Sequence, residues 1–139
     1  EDGVRAGRIA AAAGFDRGST DGDFAAQLWV HAEYGLGEHF AVGAGYLRLD
    51  GLDPLRAHGL EVLAKAYLFG SPLDAFVQAS LQPCFPESGA QLVFTGRLGV
   101  EWQTAWKAFW GVEACLTAEP GAAGAAVGFL FGAFLGARF

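Results

Sequence analysis

His31 and Glu33 stand two residues apart in the run Trp29-Val30-His31-Ala32-Glu33, a spacing that puts an imidazole and a carboxylate on one face of an extended strand. A carboxylate can orient the ring as a general base, and a hydroxyl within hydrogen-bond reach would complete an acyl-transfer set. The serines available as nucleophile are Ser19, Ser71, Ser80 and Ser88. The remaining histidines, His39 and His58, lie far along the chain, and three scattered histidines do not make the ligand cluster of a metal centre. Cys84 and Cys115 permit one disulfide or two buried thiols, and are too few for a cysteine-rich metal site. Gly121-Ala122-Ala123-Gly124 lacks the strand-loop-helix setting of a phosphate cradle. No cofactor, metal or catalytic residue is expected, and His31 reads as a polar group of a charged interior.

That interior follows from the elements that carry these residues. Eight segments of strand length can be marked, at roughly 4–15, 23–35, 39–48, 58–70, 75–84, 90–103, 105–118 and 125–139. A strand crossing a bilayer takes about 9–11 residues, and each segment supplies that or nearly so. Tight turns are expected near Gly37-Glu38, Ser71-Pro72-Leu73-Asp74 and Gln103-Thr104, and longer polar or Pro/Gly-rich connections at 16–22, 49–57, 85–89 and 119–124. Ser80 falls three strands from His31, so only a contact across the interior could join them.

The second segment alternates most clearly: Phe24, Ala26, Leu28, Val30, Ala32 and Tyr34 make one face, and Ala25, Gln27, Trp29, His31 and Glu33 the other. Segments four, six and seven repeat the pattern. The chain is 53% hydrophobic and 17% charged, with a mean hydropathy of +0.29. It has no uninterrupted apolar run long enough for a transmembrane helix. High apolar content without long apolar runs is what a transmembrane barrel needs, because lipid-facing and lumen-facing residues alternate. A net charge of −6 argues against nucleic acid as a partner.

With the polar face inward, Arg8, Lys65, Arg97, Lys107 and Arg138 oppose Glu33, Glu61, Glu101 and Glu113, with His31 and Gln27 beside them. Charges in so narrow a space must be paired or hydrogen-bonded, since an isolated one costs several kcal/mol. Trp29, Tyr67, Phe69, Phe76, Phe109 and Phe134 would share the space, with glycines 43, 45, 128, 132 and 136 leaving room for them. An eight-stranded barrel is just wide enough to be filled by side chains, so a plugged core is expected. The outward faces so assigned carry no charge.

The apolar-face aromatics sort to the strand ends. Tyr34, Phe40, Trp102, Trp106 and Phe139 fall at the tight-turn end, and Phe15, Phe24, Tyr46, Phe94 and Phe129 at the loop end. Two such belts are expected at the two interfaces of a membrane. The closing run Val127, Phe129, Phe131, Ala133, Leu135, Ala137, Phe139 alternates with Gly128, Leu130, Gly132, Phe134, Gly136 and Arg138. Ending on an aromatic in this way resembles a bacterial outer-membrane β-barrel, and the strand count, loop asymmetry and charged interior resemble the small OmpA-like and OmpX-like barrels. The resemblance implies one domain, 1–139, folded as an eight-stranded antiparallel up-and-down transmembrane barrel with short periplasmic turns. It implies a mature form exported to the outer membrane after removal of a signal peptide, with Phe139 as the sorting signal for the barrel-assembly machinery. The partners it implies are outer-membrane lipid and, beyond biogenesis, an envelope complex.

The function expected is that of a structural outer-membrane barrel, an anchor or subunit of an envelope assembly without catalysis. Ala11, Ala13, Ala133 and Ala137 form a small-residue seam against which another protein could pack. The alternatives are a narrow gated pore for ions or small solutes, a lipid-modifying outer-membrane enzyme, and a soluble lipocalin-like barrel with its faces inverted.

Overall fold

The computed structural model describes residues 4–20, 23–51, 57–85, 91–104, 107–121 and 124–139. Eight strands, β1 (Ile9–Thr20), β2 (Asp23–Gly35), β3 (Phe40–Gly51), β4 (Ala57–Tyr67), β5 (Leu73–Phe85), β6 (Gln91–Gln103), β7 (Ala108–Gly121) and β8 (Gly124–Arg138), close into one barrel. Each strand is antiparallel to its neighbours, and β8 returns to β1 from Ala10↔Arg138 to Thr20↔Gly128. The two-residue alternation sends every second side chain inward. The large inward-facing side chains (Trp29, Leu47, Tyr67, Phe76, Phe109, Leu130 and Phe134) are buried, whereas outward Leu98, Leu135 and Phe131 are exposed. A one-residue slip would exchange the two sets, so the register is strongly held.

The strands run further into the connections than their composition suggests. The first strand was expected at 4–15 and spans Ile9–Thr20, taking in Asp16-Arg17-Gly18-Ser19-Thr20. Only positions 21–22 separate β1 from β2, and only 122–123 separate β7 from β8. Turn-forming residues are drawn into strands there because a closed ladder pairs backbone groups that would otherwise be left without partners. The expected contrast of short turns with uniformly longer loops is corrected accordingly.

Two side chains assigned to the interior, and two charges on a wall expected to carry none, are placed differently. Lys107 is exposed in the β6–β7 turn rather than in the lumen, because its φ of 65° breaks the alternation just before β7 begins. Phe69 lies past the end of β4 and is exposed too. The outer wall is not free of charge: Arg17 on β1 and Arg48 on β3 both face outward near the loop end. Cys115 is a buried free thiol. Cys84 pairs with Gln91, six residues along β6 from the Arg97 that pairs with Cys115, far beyond the ~4.4–6.8 Å Cα separation of a disulfide.

Candidate functional site

The lumen is where the strands gather buried charged side chains, and it holds them in two groups with rings between. Glycines make the ring layer possible. A Cβ on Gly14 would strike the Trp29 indole, and one on Gly111 would strike the Phe134 ring. Phe134 stacks edge-on to Phe76, with centroids 5.7 Å apart, and packs against Phe109 and Trp29.

On the turn side the centre is Glu101. Its carboxylate accepts from Arg138 Nη2 at 2.6 Å, Lys65 Nζ at 3.2 Å and Tyr67 Oη at 3.0 Å, with Arg5 Nη2 at 3.4 Å. Lys65 also lies 3.5 Å from Glu33, and Arg5 Nη1 donates to Asp74 at 3.2 Å. The three cations Arg5, Lys65 and Arg138 thus face three carboxylates, Glu33, Asp74 and Glu101. The cations are further held over rings: Arg5 is 3.6 Å from the Tyr67 centroid, Lys65 4.2 Å from that of Phe76, and Arg138 4.1 Å from that of Phe109.

Arg5 reaches this group because residues 4–7 fold across the turn-side mouth. The amides of Val4, Arg5 and Ala6 donate to the Glu38 carboxylate at 3.0, 2.9 and 2.8 Å, and Gly7 donates to Gly35 O at 2.9 Å. Burial pushes the Glu38 carboxyl up, but those amides and the Arg5 charge outweigh it and hold the group below the usual carboxylate range. The cavity left among Arg5, Arg8, Glu33, Tyr67 and Arg138 is about 10 Å³, room for one water at most.

On the loop side the centre is Arg97. Its guanidinium lies 3.2 Å from Glu61, 3.1 Å from Glu113 and 3.7 Å from Asp16. Glu61 is also contacted by His31 Nε2 and Gln82 Nε2, and Gln82 in turn accepts from Thr95 Oγ1 at 2.9 Å. Trp29 Nε1 donates to Asp16 at 3.1 Å while its ring stacks on His31 at 4.0 Å. Three carboxyls here meet one permanent cation.

The structure therefore brings Glu33, Lys65, Glu101 and Arg138 into one group and His31, Glu61, Arg97 and Glu113 into the other. Arg8 lines the turn-side cavity and is half-buried at its rim, and Lys107 joins neither group. Gln27 is fully buried in the lumen. Arg5, Asp16 and Asp74 are the members that the sequence pattern did not mark. Asp16 continues the inward parity of Ala10, Ala12 and Gly14, and Asp74 that of Phe76, Gln78 and Ser80, so extending the alternation into the connections would have found both. Arg5 had no such signal, since Gly7 at φ 70° separates it from the strand.

Among the described residues no acyl-transfer set is assembled, and Ser88 lies outside them. Ser80 Oγ accepts from Gln78 Nε2 at 3.0 Å, whereas His31 is engaged by Glu61 and Trp29. His39 sits in the β2–β3 turn against Tyr67 O, and His58 faces outward beside Tyr46. Among the described residues no three His, Cys, Asp or Glu side chains form a group suited to a metal ion. Of the belt aromatics, Phe15, Phe24, Tyr34, Phe40, Tyr46, Phe94, Trp102, Phe129 and Phe139 all face outward and exposed; Trp106 lies outside the described residues.

No protein-family model and no curated protein matches the chain. Among solved structures it is similar to the N-terminal β-barrel domain of Pseudomonas aeruginosa OprF, with a TM-score of 0.71 at 19% identity over 96% of this chain and 98% of that one. A barrel from the de novo design of transmembrane β-barrels matches with a TM-score of 0.68 at 13% identity, over 99% and 100% of the two chains. Neisserial surface protein A (NspA) matches with a TM-score of 0.59 at 14% identity, over 95% and 96%. At such identities the likeness carries the fold alone: an all-β barrel of eight antiparallel strands, an architecture shared with these membrane proteins.

Proposed function

We propose that this chain is a structural integral protein of the bacterial outer membrane, a sealed barrel without catalytic activity that serves as an anchor or subunit of an envelope assembly. The observation that carries this reading is the inversion of polarity. Ionic side chains fill the interior, while the wall exposes Leu60, Val62, Leu98, Val112, Phe131 and Leu135. In water such a wall would be an aggregation surface, whereas in a bilayer it is matched to its solvent. The narrow-pore alternative is disfavoured by the ring layer, by Arg5 in the turn-side mouth and by a cavity of only about 10 Å³ there. The lipid-modifying alternative has no nucleophile at His31 among the described residues, and a soluble lipocalin-like barrel would need the opposite faces. Phe139 is exposed, and its amide donates to Ile9 O at 2.8 Å across the closing seam.

The test is conductance of the folded chain in a planar bilayer. Silence, with a heat-modifiable gel shift proving that the barrel is folded, is the expected result. Discrete current steps would replace the structural reading with a pore. The native mass of the particle extracted in mild detergent then separates a self-contained barrel from a subunit.

A further inference from the structure

Four neighbouring strands meet in one row on the loop side of the lumen. Glu113 on β7 pairs with Gly132 on β8, Gly132 with Asp16 on β1, and Asp16 with Gln27 on β2. Gly132 adds no side chain, and a Cβ there would strike Asp16 Oδ1. The two acids therefore converge above its backbone, and both reach the Arg97 guanidinium. Gln27 points inward from the next strand and is fully buried.

Each of these three side chains keeps an oxygen without a partner. Asp16 accepts from Trp29 Nε1 at 3.1 Å through Oδ2, the atom that also faces Arg97 at 3.7 Å, while its buried Oδ1 has no hydrogen bond. Glu113 meets Arg97 at 3.1 Å through Oε2, and its Oε1 is likewise unmet. Gln27 is the more telling case, since neither Oε1 nor Nε2 has a partner. Buried polar groups are normally hydrogen-bonded, and an amide that is not points to a further ligand.

Charge indicates what that ligand is. Asp16, Glu61 and Glu113 surround one permanent cation, Arg97, so among the described residues two negative charges at this centre are left without a counter-charge. His31 meets Glu61 through Nε2, a contact that a neutral imidazole makes by donating, without altering the balance. We infer that Asp16 Oδ1, Glu113 Oε1 and Gln27 Oε1 form a site for one divalent cation of the calcium type. Calcium takes carboxylate and carboxamide oxygens in irregular sets, whereas magnesium demands a near-ideal octahedron and gives up its water reluctantly. The third donor is a carboxamide, so the set contains no cluster of three acids. The site goes beyond the structural role proposed above: it would clasp β7, β8, β1 and β2 together across the seam that closes the barrel.

Terbium(III) is the probe, because it occupies calcium sites and Trp29, bonded to Asp16, lies close enough to sensitise its emission. The full chain is refolded into detergent micelles over a series of terbium concentrations, with the gel shift confirming the folded barrel. Emission excited through tryptophan should saturate, and calcium present during refolding should suppress it at lower concentration than magnesium does. Gln27→Leu should weaken terbium binding at least about tenfold, the scale on which even outer-shell partners tune metal affinity. Asp16→Asn should weaken it further. Gln27→Leu removes a side chain that makes no hydrogen bond within the protein, so it keeps the test decisive if Asp16→Asn does not fold. No sensitised emission from the folded unaltered chain, or undiminished affinity in Gln27→Leu, would overturn the site. Magnesium as effective as calcium would overturn the assignment of the ion.

Discussion

The two charged groups of the lumen are built on opposite plans. On the turn side one carboxylate, Glu101, is surrounded by three cations, and on the loop side one guanidinium, Arg97, is surrounded by three carboxyls. The difference is one of chemistry as well as sign. A guanidinium keeps its proton under all conditions a protein survives, so cations stranded on the turn side have little means of becoming neutral. Carboxyls stranded around Arg97 can take up protons, and a buried ionisable group neutralises itself rather than remain charged in a low dielectric. One group depends on its full set of counter-charges, and the other has a reserve.

The sharpest way to break that contrast is to remove each centre. Glu101→Gln leaves Arg5, Lys65 and Arg138 against only Glu33 and Asp74, and should cost about 3–5 kcal/mol of stability in urea titrations of the folded barrel, at acid and neutral pH alike. Arg97→Met should cost a comparable amount at neutral pH and distinctly less in acid, where the carboxyls it strands can be protonated. Equal pH response in the two variants would mean that the two plans are not functionally different.

The wall offers a third environment for charge, with a smaller effect. Val62 faces outward near the middle of β4 and is exposed. Val62→Arg should cost about 2–4 kcal/mol if that position lies at the bilayer midplane. Arg48→Leu, at the loop-side rim, should change stability by no more than about 1 kcal/mol. The same pair of variants in a soluble barrel would show the reverse preference, so the measurement also discriminates the lipocalin-like alternative.

Between the charged groups the ring layer is held by absence of side chains rather than by charge. Trp29 is fixed by its bond to Asp16 and its stack on His31, so it has little freedom to withdraw from a methyl group added at Gly14. Gly14→Ala should therefore cost about 1–3 kcal/mol through overpacking. Ala13→Gly, one residue away on the outward face, should cost less.

How far all this was legible in the sequence depended on where alternation was uninterrupted. The eight strands and the inward placement of His31, Glu33, Glu61, Lys65, Arg97, Glu101, Glu113 and Arg138 followed from a two-residue period that single glycines do not disturb. Asp16 and Asp74 were hidden because Asp beside Gly, Ser or Pro has the composition of a turn, and local composition gave way to backbone pairing in the closed ladder. Lys107 and Arg5 fail for another reason. Each is adjacent to or beyond a residue of positive φ, at Lys107 itself and at Gly7, where parity no longer predicts direction. That Arg5 would be turned back into the barrel depends on Glu38, a turn residue whose role as acceptor for three successive amides has no sequence period at all.

The arm bearing Arg5 provides the mildest test of the turn-side plan, because it separates delivery of a cation from the balance of charge. Glu38 titrates below the ordinary carboxylate range, since the amides of residues 4–6 and the Arg5 charge favour its ionised form over the effect of burial. A depressed carboxylate stabilises what it holds above its unfolded pKa, and loses that hold as the pH falls through the folded one. The latch should therefore be complete at neutral pH and persist down through about pH 4.3, the ordinary value for Glu, opening only below it. Hydrogen exchange at the amides of Val4, Arg5 and Ala6, followed as a function of pH, reads this directly. Glu38→Gln should raise their exchange at neutral pH while leaving the amides of β6 around Glu101 protected. If the β6 amides lose protection together with the arm, Arg5 is an integral part of the turn-side balance rather than a stopper placed on it.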